Sequence, residues 1–581
     1  MLTRLALLLL FSTLLACSTP RTQPESAADI VDDIADRYYA WALSTVPEQA
    51  YFAGIHVERH DGLQDISPAA LERLRADEDA FFAEIEAVDA ADLEGTPQWV
   101  TYVLLRQQLR SNIDRRVCRL ELWDVNQMGG WHLAYPQIAT MQPVATAEER
   151  EQALLRWSAY PGLVEQATRN LRSGVEQGYT APRAVVKRVV AQLDGVLQLP
   201  VDQSPYYSMA ARADDAAFAA ELRRLVETEI YPALRAYRIY LDEEYKPVAR
   251  EALSVTANPD GAACYEASLR AYTTLDRSGQ AVFDLGRETV NANRERVVAL
   301  GMSSYGRKEF AAILEAAKND PANAFDSKED VLAFAEDAVR RAERAMPLWV
   351  GRMPTQRAEV VPFPEHEEGT GRSARYEPGN DERPGRYRIP LHKPETQSRG
   401  NVETTAFHEV WPGHHLQVAA ASAGGEKHAV TKLIWFSGPG EGWARYSEAL
   451  AEEMGLYSTT SGPILRRAWP ARGMVVDPGI HLFGWTREEA VAFMLESGRF
   501  SPEQADAMVD RIAILPGQLT AYDSGGLEIV ALRREAEAEL GKNFDIRVFH
   551  DRVLEHGTIP LGDLRQHIQD WLEDAAVDAG R

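Results

Sequence analysis

The sequence predicts a large, mostly α-helical protein with a small strand element. Apolar residues recur at three- and four-residue spacing over Ala27–Thr45, Pro68–Ala87, Ala147–Gln177, Ala216–Asp242, Ser327–Met346 and Gln518–Leu540. That is the period of a helix with one buried face. Two-residue alternation is scarce, and Ala358–Phe363 and Tyr387–Leu391 are the short strand candidates. No repeat of fixed period runs along the 581 residues, and a chain of this length is expected to form two or three lobes.

The elements follow in chain order. Arg4 precedes the apolar run Leu5 to Leu15. A short charged start before an apolar stretch of this length reads as a secretory signal, too short for a membrane span. Leu14-Leu15-Ala16-Cys17 resembles the bacterial lipobox, whose cysteine is lipidated and becomes the new amino terminus. Residues 1–17 are therefore expected to be a lipoprotein signal peptide, and 18–26 a polar tether. Ser18 follows the cysteine where Asp would mark a different destination, which by resemblance favours the outer membrane, facing the periplasm. Residues 27–325 read as a helical front lobe. Residues 326–581 read as the half that carries the chemistry, either separate or continuous with the first. Cys118 and Cys264 in an oxidising compartment form one disulfide or remain two buried thiols. His56-Val57-Glu58-Arg59-His60 has ligand spacing, but Gly54 and Asp61-Gly62 flank it, so it reads as a loop. Glu365–Arg399 is irregular, rich in Gly, Pro, Arg and Glu, and leads directly into a histidine cluster. Such a loop forms part of a binding cleft. Asp and Glu outnumber Lys and Arg by 87 to 62, and no long basic run breaks the balance. Nucleic-acid binding is thereby excluded as a reading, because it requires a concentrated basic surface.

The chemistry concentrates in Phe407-His408-Glu409-Val410-Trp411-Pro412-Gly413-His414-His415-Leu416-Gln417. Three of the 13 histidines fall within eight positions. His408-Glu409 reads as a metal ligand followed by the carboxylate that activates water. The usual second ligand stands four residues on, one turn along the same face, but Pro412 occupies that position. His414 points elsewhere on a regular helix, and His415 lies two turns away, about 10 Å. Pro412-Gly413 supplies a cause for a local bulge that returns one of them to the metal. His414 is favoured because it needs the smaller insertion. His415 is then a residue behind the ligands or in contact with substrate.

A catalytic zinc takes three protein ligands and keeps one position open. Glu441, in Ser437-Gly438-Pro439-Gly440-Glu441-Gly442-Trp443-Ala444-Arg445, is the candidate for the third, opening a helix that runs to Met454. Glu448, two turns further on the same face, and Arg445 are candidates for supporting the ligands or touching substrate. Asp477 is a candidate for orienting a ligand histidine, since metal-bound imidazoles commonly donate their other N–H to a carboxylate. The tetrahedral oxyanion needs a donor besides zinc, and Tyr522, His481 and His550 are candidates. His550, Glu555 and His556 precede Gly557 at a helix end, where histidine suits the helix dipole without any metal.

Phe407-His408-Glu409-x-x-Pro412-Gly413-His414-His415-Leu416-Gln417 resembles the signature of the bacterial family called domain of unknown function 885. Glu441-Gly442-Trp443-Ala444-x-Tyr446-x-Glu448, Val476-Asp477-x-Gly479-x-His481-x-x-Gly484-Trp485 and Phe549-His550-Asp551-x-Val553-Leu554 are similar to further family stretches. Tyr522-Asp523-Ser524-Gly525-Gly526 departs from it, since that stretch often carries a lysine or bulkier residues. The resemblance implies a metallopeptidase-like helical fold related to the gluzincins, zinc, and a peptide substrate, with the strand element near the active site. Zinc would polarise the scissile carbonyl, and Glu409 would act as general base. The competing expectations are a catalytically silent peptide-binding lipoprotein and a zinc hydrolase of non-peptide amides.

Overall fold

The computed structural model describes residues 26–365, 368, 373–380, 383–423 and 427–579. The expected signal peptide, Cys17 and nearly all of the tether lie outside these. The protein is mostly helical, with one three-stranded sheet.

Helix α1 (Ala27–Thr45) begins at once. Ser26 Oγ accepts from the Asp29 N–H, and the Asp29 carboxylate accepts from the Ser26 N–H, so two end donors are satisfied reciprocally. Helices α2 (Pro68–Glu86), α3 (Gln98–Arg115) and α4 (Ala147–Glu176) follow, the last opened by a second such box at Thr146. The segment expected to be helical over 216–242 is interrupted by wider π turns at Val226–Ile230 and Tyr240–Tyr245. Pro232 and Pro247 lie just beyond them, and a residue without an N–H forfeits the bond four residues back. Helices α5 (Gly261–Thr273), α6 (Gly279–Tyr305) and α7 (Lys328–Ala345) lead to the sheet.

Strand β1 (Ala358–Pro362) lies parallel to the central β3 (Gly385–Ile389), and β2 (Arg375–Glu377) pairs antiparallel to β3 on its other side. The two expected strands are present. β2 is additional, inside the stretch that reads as irregular, because three residues are too few to show a period. The chemical half then runs through α8 (Arg399–Glu409), α9 (His414–Ala423), α10 (Ser437–Glu453), α11 (Gly473–His481), α12 (Ala521–Leu540), α13 (Ile546–Leu554) and α14 (Leu561–Ala579).

One core joins the two ends of the chain. Val31 and Ile34 of α1 share it with Phe407, Trp443, Leu564 and Leu572. It crosses residue 325, so the packing is not divided there. A second core fills the middle of the front region around Trp157, Tyr160 and Tyr237, with Met474 of α11 contributing. Cys118 and Cys264 are bridged inside it. His56–His60 is a loop, and His60 Nδ1 bonds the Tyr51 hydroxyl at 2.7 Å.

Candidate metal centre

The site is made by a helix that stops. α8 ends at Glu409, and Val410 leaves helical geometry at φ −115°, ψ −94°. Pro412 cannot donate a backbone hydrogen bond. Gly413 is required there, because a Cβ would stand 1.8 Å from the His408 carbonyl oxygen. The expected bulge is therefore a full break, and α9 restarts at His414 against the end of α8. The rings of His408 and His414 lie 4.9 Å apart, nearly perpendicular.

Glu441 reaches them from α10. That helix starts at Ser437, four residues before the expected opening at Glu441. Gly438 lies inside it because a Cβ would meet the Thr273 carbonyl at 2.4 Å. Glu441 is thus a turn into the helix, projecting sideways rather than capping its end.

His408 Nε2 and His414 Nε2 each stand 3.5 Å from Glu441 Oε2. This is long for an N–H···O bond, which prefers 2.7–3.2 Å. Donors at about 2.0–2.1 Å around a tetrahedral ion are separated by about 3.3–3.4 Å. The spacing therefore fits a shared cation better than a shared proton. The three side chains are half-buried, so water and ligand can reach them. Electrostatics agrees. Burial alone would lower the His408 pKa, but Glu441, Glu448 and Glu409 outweigh it and push it up to about 10. Burial opposes the Glu441 charge, yet His408 and His414 hold its carboxyl well below the usual range. The cage demands positive charge at its centre.

Behind His408 stands Glu448, accepting from Nδ1 at 2.9 Å. Both oxygens of Glu448 accept from Arg445 Nη1 at 2.8 Å. Burial raises the Glu448 pKa, but Arg445 and His408 pull it down to about 2. Arg445 Nε lies 3.0 Å from Asp523 of α12, turned out of line for a hydrogen bond. Glu409 is buried, and its carboxylate lies near the Tyr376 backbone of β2. Burial raises its pKa against the pull of His408 and His414. Tyr522, at the start of α12, lies within Coulombic reach of Glu441, and burial raises its hydroxyl pKa.

Four sequence expectations are corrected. His415 is fully buried, with Nδ1 on the Tyr376 hydroxyl at 2.9 Å and Nε2 on the Gln356 carbonyl at 3.1 Å. It ties the break to the sheet and has no nitrogen left for metal or substrate. His481 accepts from the Val255 N–H and donates to the Ile512 carbonyl, which likewise exhausts its ring. His550 shares Nε2 with the Tyr446 hydroxyl and donates Nδ1 to the Trp349 carbonyl, both at 2.7 Å. Neither can serve an oxyanion. Asp477 accepts from the Tyr265 hydroxyl at 2.9 Å and the Gly517 N–H at 3.0 Å, so it orients a loop rather than a ligand. Glu448 has the position expected of Asp477.

Three participants escaped the sequence reading. The Tyr376 backbone lies near Glu409, and Asp523 backs Arg445. Tyr387 of β3 is buried within Coulombic reach of Glu409, and its hydroxyl has no hydrogen-bond partner among the described residues. Strand residues far from the histidines leave no local signal of this.

Fold and site define a class: large helical proteins carrying a half-buried His-His-Glu cluster beside a second, buried carboxylate. The chain belongs to the family described as bacterial protein of unknown function (DUF885), whose model matches residues 47–568. Two solved structures share its fold. One is a candidate lipoprotein from Colwellia psychrerythraea, with TM-score 0.84 and 21% identity, covering 94% of this chain and 100% of that one. The other is a candidate lipoprotein of unknown function from Shewanella oneidensis, with TM-score 0.77 and 20% identity, covering 94% and 99%. No curated protein matches the sequence.

Proposed function

We propose that this protein is a zinc-dependent peptidase, exported and lipid-anchored through Cys17 at the outer membrane. The observation that carries the catalytic reading is the convergence of His408, His414 and Glu441 at ligand-to-ligand spacing beside the buried Glu409. Zinc held by those three residues, with a fourth position open, would polarise the scissile carbonyl and bring the pKa of water towards about 7.

Glu409 takes the proton of the attacking water and passes it to the leaving amine. Burial raises its pKa above the ordinary carboxylate value, which strengthens it as a base. Of the three proposed oxyanion donors only Tyr522 stands near the cluster, and its raised pKa keeps the hydroxyl protonated and able to donate. Glu448 and Arg445 hold the His408 ring in one orientation. Glu403 cannot replace Glu409, because Ser458, Thr459 and Arg341 bind its carboxylate.

The test is Glu409→Gln, read on a peptide pool and by elemental analysis. The variant should keep its zinc and fold and lose about 10²–10⁴-fold in turnover, the usual contribution of a general base. Unchanged turnover in the zinc-loaded variant would eliminate this mechanism. Wild-type protein with full zinc that cleaves no peptide would instead favour the binding-only alternative.

A further inference from the structure

A second group of metal-ligating side chains lies away from this site. Glu555 and His556 leave the end of α13, and His567 projects from α14. Their donor atoms lie within 4.8 Å of one another. The sequence shows only Glu555 and His556, at a helix end that histidine suits by itself. The turn at Gly557, with φ +78°, brings His567 back across them.

The three side chains converge on one point of the turn. His567 Nε2 stands 2.9 Å from Glu555 Oε1, and the His556 and His567 rings are 4.7 Å apart. Trp99 of α3 covers both rings, at 5.0 Å from His556 and 5.9 Å from His567. The His556 ring has no hydrogen-bond partner among the described residues, although the side chain is only partly exposed. Both of its nitrogens are therefore open to an ion or to water. The carbonyl end of α13 adds negative potential.

We propose that Glu555, His556 and His567 form a second site for a divalent ion of the zinc class, distinct from the His408 centre. Two imidazoles and one carboxylate are a borderline-soft set, suited to zinc and its neighbours rather than calcium or magnesium. Binding replaces the proton shared by His567 and Glu555 with the ion. Arg552, 3.0 Å from Glu555, and Arg352, 3.9 Å from it, add positive charge, so this site is the weaker of the two. Its position gives it a structural consequence. Gly557 packs against Ala421 of α9, where a Cβ would come within 2.9 Å, and Lys427 Nζ donates to the His556 carbonyl at 3.0 Å. The ion would clamp the α13–α14 turn that backs α9, the helix opened by His414.

The experiment is zinc titration of metal-stripped full-length protein by calorimetry, with thermal unfolding as a second readout. Wild type should take up two equivalents, the second more weakly. His567→Gln should take up one, since glutamine can still donate to Glu555 but is a poor zinc ligand. His408→Ala should also retain one, and added zinc should still raise its Tm, because ligand bound to the native state stabilises it. A single equivalent in wild type that survives His567→Gln overturns the proposal. If His567→Gln fails to fold, His556→Gln carries the same test, because the His556 ring makes no hydrogen bond to lose. A wild-type equivalent lost in His567→Gln but kept in His408→Ala would overturn the reading of the His408 centre and uphold this one.

Discussion

At the scale of single residues, the site depends on groups that never touch a ligand. Glu448 accepts from His408 Nδ1 and is neutralised by Arg445, so His408 keeps its other nitrogen on Glu441. Partners of this kind fix the tautomer and raise the basicity of a ligand imidazole, and their loss typically costs about 10–100-fold in metal affinity. Glu448→Gln should weaken zinc binding by that factor, measured by chelator competition. It should leave Arg445 with Asp523 as its remaining charge partner. Equal affinity in wild type and variant would show that Glu448 serves only Arg445. Such a residue stands at a helical spacing from Glu441, which is why the sequence exposes it. Asp477 has the same chemistry in a stretch of equal prominence. What separates them is that Asp477 faces the Tyr265 hydroxyl and the Gly517 N–H, partners more than 35 residues away in either direction.

At the scale of elements, α1, α2, α4, α7 and α12 were legible because each is long enough for amphipathic periodicity to show. The break after Glu409 was legible as a disturbance, through Pro412-Gly413, but not as a full stop. Its geometry depends on Gly413 meeting the His408 carbonyl. The packing of α10 on α12 was not legible. A Cβ on Gly525 would stand 2.1 Å from the Gly438 carbonyl oxygen and 2.8 Å from the Gly442 Cα. Two helix backbones therefore touch there, which brings Arg445 to Asp523 and Glu441 towards Tyr522. In a free helix Gly→Ala is worth about 1 kcal/mol of stabilisation. At Gly525 the clash with fixed backbone outweighs that gain, and overpacking costs about 1–3 kcal/mol or more. Gly525→Ala should lower Tm and weaken zinc binding together. Gly162, within α4 and with open space around its missing Cβ, is the control. Gly162→Ala should leave zinc binding unchanged and raise stability by about 0.5–1 kcal/mol. A Gly525→Ala protein at least as stable as wild type would show that α10 and α12 can separate without cost.

At the scale of the whole molecule, the folded body and its attachment are separable. The first described helix opens with the Ser26 capping box, nine residues after Cys17, and enters the same core as the last. Among the described residues no helix is long and apolar enough to cross a membrane. In the proposed reading, membrane attachment rests on the N-terminal segment, where Leu14-Leu15-Ala16-Cys17 would supply a lipid. Stable anchoring by acyl chains takes more than one, because each buried CH₂ contributes about 0.8 kcal/mol and a single chain binds only marginally. A chain exported behind an ordinary cleavable signal, and therefore starting at Ser18, should appear in the soluble periplasmic fraction. The native chain should require detergent and partition with the outer membrane. Zinc content and Tm should be the same for both, since the ligands and both large cores lie within residues 26–579. Replacing the signal is preferable to Cys17→Ala alone, which leaves the apolar run Leu5 to Leu15 uncleaved and able to hold the chain in the membrane by itself. If the chain starting at Ser18 still sediments with membranes, attachment lies on the folded surface and the lipid anchor is not what holds the protein there.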